Sequence, residues 1–455
     1  MRTPALEQTA RFMMNSQVPP SESPDRKIAP AAPSQPALMA PARLAALLAA
    51  LAMIGPFSVD TYLPAFPEMQ RSLGATVIAV QQSLTVYMLS FAVMILWHGA
   101  LSDALGRRNV ILIFLAIFAV ASLGCAAAHT IEYLVAFRVL QGASAGAGVV
   151  VGRAMIRDAY SGPRAERLLS LVTMIFAIGP AIAPVLGGWI VTALDWRSIF
   201  LFLFAYSAIL LWICWNLLPE TLPAAARTPL KAKALASSYR KVLGTLRFHF
   251  YSGTIAFNFA GLFLYVAAAP TFLIEHLHLS SRQFAWQFLP SVAGIFVGAL
   301  ATNRLAGRIR IGAQVRFGFV LLFGAAGANL TYHLLHAPAI PWSVAPLFFY
   351  CIGMGMTAPG ITLLVLDLYP DVRGVVASCQ SFTQTMLAAV VAGLVSPLLA
   401  PSVVWLALGQ LGFVTIALIS WRLGRSRHSI PSAELAARSG FASKSAAALS
   451  AKEVK

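Results

Sequence analysis

Charge is scarce in this chain. Only 11% of its 455 residues are Asp, Glu, Lys or Arg, against roughly 25% in a soluble domain. What charge there is leans one way, with 16 acidic residues against 33 basic ones and a net charge of +17. The basic residues lie between apolar runs instead of forming a patch on a polar module, which argues against a nucleic-acid partner. Cysteine is rare too. Cys125, Cys214, Cys351 and Cys379 fall singly inside apolar segments, without CxxC or Cys/His spacing. That excludes a metal or disulfide framework and leaves small buried hydrophobes. No GxxxxGK[ST] phosphate loop occurs, so if the chain is a transporter it must draw on a gradient or on a separate ATPase chain. The histidines are scattered toward loops, with no cluster of His, Asp and Ser at one depth. This argues against a membrane-embedded enzyme, and no filter-like repeat suggests a channel.

What is abundant is apolar surface: 58% of residues are hydrophobic and the mean hydropathy is +0.75. A spanning helix needs about 20 apolar residues. Twelve stretches meet that length: 43–66, 79–101, 109–128, 131–152, 168–193, 198–218, 250–275, 284–303, 314–335, 343–367, 374–398 and 401–422. The expected fold is therefore an all-α membrane protein of twelve transmembrane helices in two six-helix pseudo-symmetric bundles. Its expected parts are a disordered cytoplasmic tail (1–42), an N-terminal bundle (43–218), a basic cytoplasmic linker (219–249), a C-terminal bundle (250–422) and a second cytoplasmic tail (423–455). Residues 1–40 are rich in Pro, Ala and Ser and lack the early apolar core of a signal peptide.

Positive charge orients the helices. With the N-terminus inside, the inner loops carry 17 Lys or Arg, among them Arg107, Arg108, Arg153, Arg157, Arg240 and Arg310, whereas the outer loops carry Arg71, Arg197 and Arg282. Both termini are then cytoplasmic. The halves also echo each other: GALSDALGRR begins at Gly99 and GALATNRLAGRIR at Gly298, as in transporters built from repeats.

Four motifs carry a family resemblance. GALSDALGRRNVI, from Gly99, is similar to the G-x-L-x-D-x-x-G-R-R/K signature of the major facilitator superfamily. RVLQGASAGAGVVVGRAMIRD, from Arg138, resembles that superfamily's R-x-x-Q-G pattern in the fourth helix. GPAIAPVLGG, from Gly179, resembles the antiporter motif of the fifth helix, with Ala183 where the motif has Gly. FSVDTYLPAFP, from Phe57, resembles the first helix of the Bcr/CflA branch of drug:proton antiporters, which includes bicyclomycin and chloramphenicol exporters. The likeness covers residues 43–220 well. The second half follows with weaker motifs, placing Thr302 and Asn303 where the first has Asp103.

The resemblance implies a proton-coupled antiporter that exports amphipathic drugs or antibiotics across a bacterial inner membrane by alternating access. It implies no enzyme activity, no cofactor beyond the proton gradient, no metal, and a monomer whose partners are drug, protons and lipid. The alternative is a facilitator moving a specific metabolite such as an amino acid or sugar, by symport. The resemblance makes Gly99, Asp103, Gly106, Arg107 and Arg108 a conformational latch, with Arg153 and Arg157 as partners of Asp103. It makes Gly179, Pro180, Pro184, Gly187 and Gly188 the antiporter motif.

A charge at the centre of a bilayer costs about 2.5–3.5 kcal/mol on insertion scales. Asp60 and Arg138 are nevertheless placed well inside the membrane. Asp60 lies roughly 25 Å along the first helix from its inner end, and Arg138 about 12 Å from the outer end of the fourth. Asp60 is either at a helix end in interfacial water, since Pro64 and Pro67 follow, or a carboxylate in a cavity whose protonation is coupled to transport. Arg138 either snorkels outward or faces the bundle interior beside Gln141. Helices 1, 4, 7 and 10 line the cavity of the facilitator fold. Phe57, Asp60, Tyr62, Arg138, Gln141, Asn258 and Tyr265 are therefore the expected substrate contacts, with Asp60 and Arg138 the proton-coupling pair. Gln380 and Gln384 are further polar candidates without an assigned role.

Overall fold

A computed structural model describes residues 39–230, 232–305, 308–369 and 372–426. Most of both expected tails lies outside the described residues. Among the described residues twelve helices are long and apolar enough to cross a membrane. They are α1 (Pro41–Leu73), α2 (Val77–Leu105), α3 (Arg107–Ala126), α4 (Ile131–Ala159), α5 (Arg164–Ala193), α6 (Trp196–Leu217), α7 (Leu246–Ala267), α8 (Ser281–Leu305), α9 (Ile311–Leu335), α10 (Ala345–Asp367), α11 (Arg373–Leu399) and α12 (Val403–Arg425). Arg107, Arg157, Arg240, Arg310 and Arg373 cluster in the loops and helix ends on one side, called here the basic end; the opposite side is the far end.

Turn chemistry sets the far-end connections. Gly74 closes α1 in the left-handed region at φ +60°. Thr76, Thr130 and Asp195 then cap α2, α4 and α6 by accepting from backbone N–H groups three residues on, which satisfies donors the first helical turn leaves free. At the basic end Gly106 joins α2 to α3 at φ +96°, a conformation open to glycine at little cost.

Pairings within the first six helices recur six helices later. The pairs α1–α5, α1–α4, α2–α4 and α3–α6 have as counterparts α7–α11, α7–α10, α8–α10 and α9–α12. The chain is thus two six-helix bundles related by an internal repeat. Across the halves, α2 packs on α11 and α5 on α8. One continuous apolar core joins the N-terminal bundle to far-end residues of the other, Phe263, Leu264, Phe272, Phe288 and Leu406 among them. At the basic end the C-terminal bundle keeps a separate core around Phe248, Tyr251, Val315, Val376 and Trp421.

Within the expected linker, Ala232–Leu243 forms a helix. Its Val242 is buried with Phe248 and Val376 in the C-terminal core. Its Tyr239 hydroxyl donates to the Leu96 carbonyl of α2. The first part of the linker is tied to the N-terminal bundle: Thr228 N–H donates to the Asp103 carbonyl (3.1 Å), and Glu220 accepts from the Arg107 N–H (3.0 Å).

Candidate functional site

The regular α-helix of α1 stops at Asp60. Pro64 and Pro67 have no N–H to continue it. A short 3-10 turn, Leu63–Ala65, leads instead into Phe66–Leu73. Asp60 therefore sits inside a longer span and not at its end, and only 6% of it is exposed. Among the described residues no cation lies in ion-pair range of its carboxylate.

Arg138 of α4 is fully buried, so it points into the bundle and does not snorkel. Its guanidinium lies between two rings, with Cζ 4.7 Å from the Tyr62 centroid and 4.2 Å from that of Tyr87, a cation–π arrangement that partly replaces lost hydration. Nη1 donates to the Ser58 carbonyl (3.2 Å) and to Gln141 Oε1 (2.6 Å). Gln141 Nε2 in turn donates to Ser122 Oγ (2.9 Å). Nε and Nη2 have no acceptor among the described residues. Arg138 thus joins α1, α2 and, through Gln141, α3, while keeping donor capacity in reserve. The Tyr62 hydroxyl is hydrogen-bonded to Ser83 on α2.

At the basic end, Arg107 organises a charge cluster. Nη1 is 2.6 Å from Asp103 Oδ1, and Nε is 2.9 Å from Asp158 Oδ2. Nη1 also donates to Ser102 Oγ (2.5 Å). Glu220 pairs with Arg227 at 3.6 Å, and both close over Gly106, where a Cβ would run into their side chains. Arg108 donates to the Trp215 carbonyl (2.6 Å). Arg153 and Arg157, the expected partners of Asp103, are exposed and belong to no described ion pair. The α4 member is Asp158. The reason is local: Arg107 is four residues from Asp103 on the same side of the turn, and its remaining donor then calls for a second carboxylate. Arg107→Ala removes three charge-assisted contacts and leaves two carboxylates facing each other. It is expected to cost about 1.5–3 kcal/mol, read as a lower thermal midpoint of the purified protein; an unchanged midpoint would refute this.

At the far end close backbone packing and side-chain hydrogen bonds hold α5 against α1 and join the two halves. A Cβ on Gly187 would collide with the Thr61 carbonyl of α1, and one on Gly188 with the Ser281 carbonyl at the start of α8. Gly179 packs on Pro56, with Pro180 and Pro184 inside the continuous helix. Ser281 Oγ donates to the Pro64 carbonyl (3.1 Å), and Arg282 Nε to Thr192 Oγ1 (2.8 Å). Between α2 and α11, Gln82 Nε2 donates to the Gly393 carbonyl (2.9 Å) and Gln81 Nε2 to Ser396 Oγ (2.9 Å). Gly393 lies in a π-helical turn, Val391–Val395, the kind of insertion that disturbs the regular i to i−4 ladder.

The sequence profile of the Major Facilitator Superfamily matches residues 48–393. The chain belongs to that superfamily. It is 33% identical over 357 residues to a Bacillus subtilis (strain 168) protein described as an uncharacterized MFS-type transporter, YdgK, covering 78% of this chain and 88% of the relative. It is 28% identical over 352 residues to multidrug resistance protein D of Escherichia coli (strain K12), covering 76% and 87%. A Haemophilus influenzae bicyclomycin resistance protein homolog is 26% identical over 308 residues, covering 66% and 76%. Among solved structures, the human organic anion transporter MFSD10 (TETRAN) superposes with a TM-score of 0.61 at 22% identity, covering 86% of this chain and 100% of that one, which shows the shared fold. The protein is a multi-pass membrane transporter.

In this facilitator several expected substrate contacts are turned inward as staples between helices. The Tyr265 hydroxyl accepts from Asn329 Nδ2 (2.7 Å), which also reaches Gln410 Oε1 (3.0 Å). Gln287 Nε2 donates to the Tyr265 carbonyl (2.8 Å). Asn258 faces Thr357 Oγ1 at 3.5 Å, and its carbonyl accepts from the Tyr350 hydroxyl (2.9 Å). Tyr62, Gln141, Asn258 and Tyr265 are each at most 2% exposed. These bonds offset part of the cost of burying polar groups inside a bundle, while Asn258 Oδ1, Asn329 Oδ1 and Gln410 Nε2 stay without a partner among the described residues. Phe57 packs against Phe202 and Tyr206, with centroids 5.9 and 5.2 Å away. Gln380 donates to Thr362 (3.0 Å). Sequence reasoning missed Asn329, Gln410, Gln81, Gln82 and Ser281. An isolated amide in an apolar run, as in AGANL or ALGQL, was the available signal for the first two.

Proposed function

We propose that this facilitator is a proton-coupled antiporter that exports amphipathic drugs or antibiotics across a bacterial inner membrane, acting as a monomer by alternating access. The observation that carries the reading is the buried pair on α1 and α4: a carboxylate without a cation and a guanidinium without a carboxylate, in the same bundle. Asp60 is the proton carrier. Arg138 senses its charge through the surrounding Tyr62 and Tyr87 rings and keeps two free donors for substrate or for a shifted Asp60. Transporters place such groups where conformational change alters their surroundings. The names of the curated relatives favour drugs over a single metabolite.

The excess of Lys and Arg makes the basic end cytoplasmic, with both termini inside. The shared far-end core then closes the periplasmic side, and this conformation faces the cytoplasm. The two faces of the cycle are the far-end seal around Gly188 and the Arg107 cluster. No cofactor is required beyond the proton gradient.

A drug-susceptibility panel in an efflux-deficient bacterial host tests the proposal. Expression is expected to raise the inhibitory concentration of at least one amphipathic antibiotic, and an uncoupler to abolish its energised extrusion from loaded cells. Unchanged susceptibility to every compound would sink the reading.

A further inference from the structure

A cavity of about 430 Å³ lies at the basic end of the C-terminal bundle, away from Asp60 and Arg138. It is bordered by α7 (Tyr251), the start of α9 (Arg310 to Arg316), α10 (Leu364) and α12 (Trp421, Arg425). Arg310, Arg316 and Arg425 all line it, and no acidic residue does. None of the three has an acidic partner within ion-pair distance among the described residues. The three arginines are exposed while the aromatic wall is not: Tyr251 is 2% and Trp421 5% exposed, with ring centroids 5.7 Å apart. Arg425 reaches over the first turn of α9, its Nη1 3.7 Å from where a Cβ on Gly312 would stand.

Three like charges around one cavity repel each other, so the arrangement calls for an anion. The surroundings decide which kind. Directly beyond Arg316, Phe317 is 60% and Val320 69% exposed, and Leu363 of α10 is 54% exposed. On a membrane-spanning helix these are surfaces for acyl chains. The cavity mouth therefore sits where arginines meet the edge of the hydrocarbon. We propose that this cavity binds the headgroup of an anionic phospholipid from the adjoining leaflet. The phosphodiester is held by the arginine forks, which match phosphate geometry, and the acyl chains run along Phe317 and Val320. Basic pockets between transmembrane helices are suited to such headgroups. The proposal stands apart from the transport reading, because it uses none of the same residues.

Native mass spectrometry of the full-length protein, released from micelles containing equal phosphatidylglycerol and phosphatidylcholine, provides the test. The wild type is expected to retain phosphatidylglycerol preferentially. The variant Arg310→Gln/Arg316→Gln/Arg425→Gln is expected to lose that preference, by about fivefold for each arginine removed. A control that removes the same charge from the linker helix, Lys233→Gln/Arg240→Gln/Lys241→Gln, is expected to keep it. Arg425→Lys keeps the charge but loses the fork, and should weaken retention in a protein whose fold is least disturbed. Equal retention of both lipids by the wild type overturns the proposal, as does an equal loss in the linker control. If inorganic phosphate alone raises the thermal midpoint as much as phosphatidylglycerol does, the cavity is a site for free anions and the lipid assignment is wrong.

Discussion

Asp60→Asn is expected to reduce proton-driven export in proteoliposomes to the level of protein-free vesicles while leaving the fold intact. Asparagine has nearly the shape of aspartate. Asp60 has no ion pair to lose among the described residues, so the substitution strands no buried cation. Burying an ionised carboxylate without a partner is costly, so its removal should leave the thermal midpoint level or raise it. What disappears is a group able to gain and lose a proton. Substrate exchange without a gradient should persist, because Phe57, Arg138 and the walls of the bundle are unchanged. Full proton-coupled export by the variant would remove Asp60 from the coupling step. A collapse of both stability and exchange would instead make its role structural.

Gly188→Val is expected to drive the far ends of the two bundles apart. The α carbon of Gly188 rests on the Ser281 carbonyl at the start of α8, so even a Cβ collides with main chain, and main chain cannot swing aside as a flexible side chain can. Overpacking costs about 1–3 kcal/mol. Because the contact lies between halves, the cost falls only on the conformation in which they touch. It should therefore move the balance of conformations by about five- to 150-fold. Spin labels on cysteines introduced at Leu194 and Glu275, both exposed at the far end, would report a longer mean distance. The four native cysteines are buried, which favours labelling of the introduced pair. Gly187→Val strikes the Thr61 carbonyl inside one bundle. It should lower stability without lengthening that distance. A distance that stays fixed in Gly188→Val would show that Gly188 does not belong to the seal.

The twelve helices were legible because hydropathy over 20 residues is a local property, and the repeat because GAL and its arginines recur after the second helix of each half. Burial of Asp60 was only half legible. Pro64 and Pro67 signal a break in α1, but the chain crosses it through a single 3-10 turn and continues to Leu73. The linker helix was missed because AKALASSYRKVL is short and basic, and its apolar residues gain meaning only against Phe248 and Val376. Arg138 was recognisable as an interior charge, yet its ring partner Tyr87 comes from another helix. The same holds for Gln82 and Gly393, 311 residues apart. Contacts between halves leave no periodic trace in sequence. For the same reason Asn258 and Tyr265 looked like cavity residues, since a polar stripe reads alike whether it faces a ligand or another helix.

The division of the linker has a consequence for the whole cycle. Its first part, through Thr228, is bonded to the Arg107 cluster, and from Val242 onward it is packed into the opposite bundle. The linker is thus held to one bundle up to Thr228 and to the other by its helix, whose Tyr239 also reaches back to the Leu96 carbonyl of α2. A connection of some thirty residues works as a very short tether. A short tether keeps the effective concentration of one half at the other high. In the proposed cycle the two bundles rock through an exchange of far-end and basic-end contacts, and whichever set breaks, its partners remain close enough to find each other again on the return stroke.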